Sequence, residues 1–348
     1  MSATIDRSEH PTSGDATSAS RSHWTPPTGP LPPEPMPKNL RSTQPGGGTV
    51  MTLELLWGRL RRQFHRAFRR GYVDRMTTTR VGDPSGLPHP VHDSRDLKYL
   101  RNQTDVHWKP RDDPFRWRDS IPFARWGLAE LLVLTGFWLT LCVLFATLIA
   151  VSPYAWLTVV LSLLAITCGL FACEMVWFFR DPPRAVPAGA GVLCSPADGT
   201  VAEITDVDDP FCGPSVRVGI FLSVFNVHIN RVPEAVRVVG VSYKPGKMLN
   251  ALRPESAREN ERLELRLQSL ADPARCYRLV QITGAIARRI VCDARPGDVY
   301  EAGEKFGMIK LGSRTELVLP RVDGLEVSVD VGDKVQAGQT VFARYPAA

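Results

Sequence analysis

The longest pattern in the chain is an absence of charge. From Leu131 to Cys173 no side chain is charged and most are apolar. Wound as a helix at ~1.5 Å per residue, the run is roughly 65 Å long, about twice the ~30 Å hydrocarbon core of a bilayer. One span is too few and three are too many. Ser152-Pro153 interrupts the run near its middle, and proline breaks a helix by removing a donor and crowding the preceding turn. The pattern predicts two membrane-spanning helices over residues 127–179, joined by a very short turn. A buried hairpin of a soluble protein is a poor match to so long an uncharged stretch.

Upstream, Leu53, Leu56, Trp57, Leu60, Phe64, Phe68 and Tyr72 recur at spacings of three and four, with Arg59, Arg61, Arg62, Arg66, Arg69 and Arg70 between them. This predicts a basic amphipathic helix over 49–76. Such a stripe suits packing on its own domain or lying on anionic lipid, and the neighbouring spans favour lipid. Residues 1–48 are rich in Pro, Ser, Thr and Gly and predict a disordered tail. The polar N-terminus lacks the apolar core of a signal peptide. Residues 77–126 form a juxtamembrane segment.

Downstream the period changes to two. Val216, Val218, Ile220 and Leu222 alternate with other residues, as do Val236 and Val238, and Val327, Val329 and Val331. Residues 180–348 are therefore expected to form a mainly β domain. The stretch Ser256–Gln268, SARENERLELRLQ, is dominated by charge and reads as a solvated loop or short helix.

The net charge of +6 is concentrated before the hairpin, which favours an anionic surface as partner. No zinc-finger or RNA-binding signature supports nucleic acid. Basic residues flank the hairpin on both sides, Lys109, Arg111, Arg116, Arg118 and Arg125 before it and Arg180 and Arg184 after it, whereas the turn carries none. The positive-inside rule puts both ends on the cytoplasmic side of the inner membrane. The seven cysteines are scattered without CxxC pairs, so neither a disulfide framework nor a metal site is expected.

Candidate chemistry is sparse. His228 is the one histidine beyond the hairpin, so a base acting near neutral pH has one imidazole to draw on. Taken alone, a lone strand histidine is more often structural. Asp198, in SPADGTV, sits in a turn where it bonds its own backbone or, near a histidine, orients the ring. Gly312-Ser313 lies between strand-like stretches, Lys305–Leu311 and Thr315–Leu319. It is either a plain turn or a serine placed to attack its own preceding carbonyl, for which an unhindered glycine is suited. The GxSxG elbow of hydrolases is absent.

The segments FFRDPPR, SPADGTV, LSVFNVHINRVP, VQITGAIARRIV, GEKFGMIKLGSRTELVLP and VGDKVQAGQTV occur in this order over residues 170–348. Together they resemble the phosphatidylserine decarboxylase family, especially its short membrane-associated bacterial branch. The resemblance implies that Ser313 becomes a pyruvoyl group after cleavage between Gly312 and Ser313. Asp198 and His228 are then the other members of the self-processing triad. The chain would divide into fragments 1–312 and 313–348 that stay associated. Some relatives carry a second histidine where this chain has Arg231, so His228 would serve both processing and decarboxylation.

The implied chemistry needs neither metal nor pyridoxal phosphate. The pyruvoyl carbonyl condenses with the substrate amine, and the resulting Schiff base takes up the electrons left by carbon dioxide. Phosphatidylserine, held in the membrane, would yield phosphatidylethanolamine. Arg288, Arg289 and Arg314 are candidates for the phosphodiester or carboxylate, or else arginines on a solvated edge. Homo-oligomerisation is left open. A rival reading is a biotinyl- or lipoyl-carrier module, since PADGTVAEI and GLEVSVDVGDKVQAGQTV look like its halves. That implies a barrel-sandwich-hybrid-like β domain, but a carrier lysine in DKA or MKM is missing, with Lys334 the nearest.

Overall fold

The computed structural model describes residues 24–87, 89–97, 106–249, 255–284, 289–310 and 313–346. Helices α1 (Thr49–Phe68) and α2 (Arg70–Thr78) precede two long apolar helices, α3 (Leu128–Val151) and α4 (Ala155–Phe178). The last two are long and apolar enough to cross a membrane. Ser152 ends α3 in an extended conformation, as the proline that follows it requires. Trp138 stacks on Phe171 at 4.8 Å, and Gly169 faces Cys142. These pairings fix an antiparallel hairpin.

The strands of the β domain that position the site are β1 (Gly199–Asp209), β2 (Gly213–Leu222), β3 (Ile229–Arg231), β4 (Val236–Lys244), β5 (Arg262–Ser269), β6 (Cys276–Thr283), β7 (Arg289–Cys292), β8 (Lys305–Lys310) and β9 (Ser313–Pro320). Among the described residues, β4-β5-β6-β9-β2-β1 run side by side in an eight-stranded sheet, edged by Val299–Tyr300 and Lys334–Val335. The pairings between these strands are antiparallel. A second sheet has the order β7-β8-β3. The core between the sheets contains Val218, Ile220, Leu265, Leu279, Ile309 and Leu317, all fully buried. β9 is central and buried along its whole length.

Three expectations change. The charged stretch after Ser256 is not a loop over its length: β5 occupies Arg262–Ser269. Leu263, Leu265 and Leu267 point into the core. The alternation was present, but the charged residues between the leucines masked it. Those charges pair across the opposite face, Arg278 with Glu264 at 3.1 Å among them.

Disorder over 1–48 is corrected for residues 24–48, which run as an extended strap over the β domain. Leu40 enters the main core. Glu34 N–H donates to Val239 O at 2.7 Å, and Cys292 N–H donates to Thr43 O at 2.9 Å. Prolines stiffen the strap in advance and so lower the entropy cost of laying it down. Residues 1–23 lie outside the described residues.

The amphipathic helix is present but interrupted at Arg69, whose backbone leaves the helical region (φ −135°, ψ 44°). Its faces are inverted relative to a helix packed on its own domain. Leu53, Leu56, Trp57, Leu60, Phe64 and Phe68 are exposed, whereas Arg61 is buried. Arg61 is held there by Asp96 at 2.6 Å and Asp93 at 3.2 Å.

Candidate active site

Ser313 opens β9 and is fully buried. Its backbone is held in register on both sides, opposite Leu222 of β2 and Thr283 of β6. Among the described residues its hydroxyl has no hydrogen-bond partner. Buried hydroxyls are nearly always paired, so this one calls for an explanation. Gly312 lies outside the described residues, as does Arg288.

The sheet carries Asp198 to the same end. Phe221 is flanked by Arg314 of β9 on one side and Thr200 of β1 on the other. One rung further on come Ser313, Leu222 and Gly199. At ~4.8 Å between strands, Ser313 and Gly199 are roughly 10 Å apart, and Asp198 is the next residue. Gly199 is needed here, because a Cβ would stand 2.2 Å from Phe221 O.

His228 arrives through the turn after β2. The Asn226 side-chain oxygen accepts from Ser223 N–H at 2.9 Å and from the Ser223 hydroxyl at 2.8 Å, which closes the turn. His228 Nδ1 lies 2.9 Å from Asn226 O. A carbonyl only accepts, so Nδ1 carries the proton and Nε2 is the basic nitrogen. Phe178, at the end of α4, covers the ring at 4.5 Å. Ile309 N–H donates to His228 O at 3.2 Å, tying it to β8 just before the Gly312-Ser313 segment. Burial pushes the imidazole down to about 4, with the Arg180 charge acting in the same direction and Asn226 O against it. The ring is therefore neutral and proton-accepting at neutral pH.

Asp198 is taken up by a cation rather than by the imidazole. Arg184 Nη2 donates to it at 2.7 Å and Ala337 N–H at 2.8 Å. Burial pushes its carboxyl above the ordinary range, while the Ala337 N–H and Arg184 pull it down. Arg231 is buried and bonds Asp181 at 3.4 Å and Gly303 O at 2.9 Å. Lys305 also pairs with Asp181. A polar relay links the sheets, with Gln281 donating to Asn230 at 2.8 Å and Asn230 to the Thr315 hydroxyl at 3.1 Å.

The remaining arginine candidates are engaged within the protein. Arg314 is buried against Glu316 at 2.7 Å and Glu203 at 2.5 Å. The Arg289 guanidinium lies against Gly48 at the start of α1, where any Cβ would collide with it. Arg180, Asp181 and Arg184 were missed by sequence reasoning although FFRDPPR contains all three. A further contact without a sequence signal is Lys310, buried against Glu130 of α3 and 3.2 Å from Gln44 of the strap.

Comparison with known proteins gives the family of the chain. The family model described as Phosphatidylserine decarboxylase matches residues 171–343. A phosphatidylserine decarboxylase proenzyme of Rhodopirellula baltica is 53% identical over 249 residues, 72% of this chain and 99% of that protein. Proteins of the same name from Nitratidesulfovibrio vulgaris and Nitrosomonas eutropha are 44% identical over 205 residues and 42% identical over 182 residues. The first covers 59% of this chain and 89% of that protein, the second 52% and 82%. With nearly the full length of the first relative matched at that identity, the chain belongs to the phosphatidylserine decarboxylase family.

Proposed function

We propose that the chain cuts itself between Gly312 and Ser313 and then decarboxylates phosphatidylserine to phosphatidylethanolamine at the membrane surface. The observation that carries this reading is the buried Ser313 hydroxyl, without a partner among the described residues, at the sheet end shared with His228 and Asp198. Relatives named proenzymes are consistent with a precursor that must be processed.

The chemistry starts on Ser313. Its Oγ adds to the Gly312 carbonyl as Nε2 of His228 takes the hydroxyl proton, and the peptide becomes an ester. Loss of the Ser313 α-proton expels the Gly312 carboxylate and leaves a dehydroalanine, which water converts to a pyruvoyl group with release of ammonia. That group supplies an electron sink for the carboxylate electrons when carbon dioxide departs. His228 then holds the proton that the product carbon requires. With Arg231 committed to Asp181, His228 has both tasks. Asp198 acts through Arg184 and Ala337 to fix the turn beside Ser313, as a positioning residue.

The two fragments stay together because β9 hydrogen-bonds to β2 and β6 on either side after the cut. A barrel-sandwich-like arrangement is supported by the pairing of Lys334–Val335 with Gly199–Thr200. The same pairing disfavours a carrier module, since Lys334 sits in a paired strand and not at a hairpin tip. Charge flanking the hairpin supports an inner-membrane enzyme with its β domain in the cytoplasm. The outward apolar face of α1 supports contact of that helix with anionic lipid.

The test is the mass of the denatured protein. Wild type is expected to yield a fragment 313–348 with a blocked, carbonyl-bearing N-terminus, and Ser313→Ala a single chain. An intact chain in both, in a preparation that is folded, would falsify the reading.

A further inference from the structure

Four arginines stand around the site, and three are committed to carboxylates: Arg184 to Asp198, Arg231 to Asp181, and Arg314 to Glu203 and Glu316. Arg180 differs. Among the described residues no carboxylate lies within ion-pair distance of it. Its Nη1 donates to Trp177 O at 2.7 Å and its Nη2 to Phe225 O at 2.9 Å. The guanidinium lies over the Trp177 ring at 4.0 Å. A guanidinium has five N–H donors, so donors remain for an anion.

Arg180 also closes one end of a groove of about 610 Å³ between the two apolar helices. Its walls include Leu139 of α3 and Gly169, Cys173 and Val176 of α4, and Trp177 lies beside Arg180 at the mouth. Gly169 leaves the floor open, since a Cβ there would meet nothing nearer than Cys142 Sγ at 4.0 Å. An apolar groove between two helices long and apolar enough to span a bilayer, ending in a cation that has no carboxylate partner among the described residues, has the chemistry of a phospholipid: a hydrocarbon chain and then a phosphate.

The mouth leads to the reacting residues. Phe225, which Arg180 holds, belongs to the turn that delivers His228. Phe178, two residues before Arg180, covers the His228 ring. The Arg180 charge is felt at both His228 and Asp198.

We propose that the α3–α4 groove takes one acyl chain of the phospholipid substrate and that Arg180 binds its phosphodiester, aiming the serine head group at His228 and Ser313. This rests on the decarboxylase reading and adds the route by which the lipid enters. The hairpin is then part of the substrate site as well as an anchor.

The test uses the full chain in nanodiscs. Arg180→Gln is expected to complete self-cleavage yet raise KM roughly tenfold or more for both dioleoyl- and dihexanoyl-phosphatidylserine, as loss of a charge-assisted bond implies. Arg180→Lys should recover part of that loss. Cys173→Trp, which fills the groove from an exposed position, should lower the preference for the long-chain over the short-chain substrate. Leu163→Trp, on a lipid-facing surface away from the groove, should not. An acyl-diazirine phosphatidylserine should label α3 and α4 groove peptides of uncut Ser313→Ala protein, and less so when Arg180→Gln is added. A wild type that cleaves and decarboxylates, with unchanged KM in Arg180→Gln, unchanged chain-length preference in Cys173→Trp and labelling outside the groove, overturns this inference alone. A folded wild type that neither cleaves nor decarboxylates overturns the decarboxylase reading and this one with it.

Discussion

Ser313 and His228 are both buried where an ordinary surface turn would leave them wet, and each has a measurable signature. Ser313→Ala removes a buried hydroxyl that has no partner among the described residues. Such a change is neutral or stabilising by up to roughly 1–2 kcal/mol, so the uncut variant should melt no lower than an uncut precursor with serine intact. His228 is held neutral, with its folded value near 4 against an ordinary 6.5. An unfolded chain binds this proton first, so the contribution is fully present above pH 6.5 and is lost as pH falls toward 4. It is worth up to roughly 3 kcal/mol. Denaturant unfolding of the precursor should show that loss, and His228→Gln should flatten it. Self-cleavage should also persist well below pH 6.5; an acid limb centred at 6.5 would mean that the imidazole is not buried during the reaction.

At the scale of elements, the strand before the cut site is clamped by two distant segments. Lys310 of β8 meets Glu130 of α3 and Gln44 of the strap. Removing one partner of a buried ion pair leaves a charge without compensation, at a cost of about 3–5 kcal/mol. Glu130→Leu should therefore destabilise the protein strongly in thermal melts, and Glu130→Leu with Lys310→Met should recover most of the loss. Equal destabilisation by the single and double variants would show that the pair is not coupled. The same clamp joins the apolar hairpin to the strand that leads to Ser313, so the single variant should also slow the proposed self-cleavage.

For the whole molecule, the proposed membrane contact draws on two features. The hairpin helices are long and apolar enough to span, and α1 turns Leu53, Leu56, Trp57, Leu60, Phe64 and Phe68 outward while Arg61 faces inward to Asp93 and Asp96. In vesicles with brominated acyl chains, Trp57 fluorescence should be quenched, measured as the difference between wild type and Trp57→Phe. An unquenched Trp57 would leave the helix in water or against another protein surface.

The sequence by itself determined the hairpin and the alternating strands and singled out Ser313, His228 and Asp198 as candidates, because period and charge are local properties and the ordered motifs are specific. It also held the alternation of Leu263, Leu265 and Leu267, which the intervening charges concealed. Only the tertiary structure decided what each group faces. Asp198 bonds Arg184 and Ala337 instead of the imidazole, Arg314 is consumed by Glu203 and Glu316, and residues 24–48 lie on the domain. Those outcomes depend on contacts between residues far apart in the chain, whose pairing depends on sheet register and burial. Arg180 illustrates the division: the motif displays the arginine, but only the fold leaves it, among the described residues, without a carboxylate at the mouth of an apolar groove.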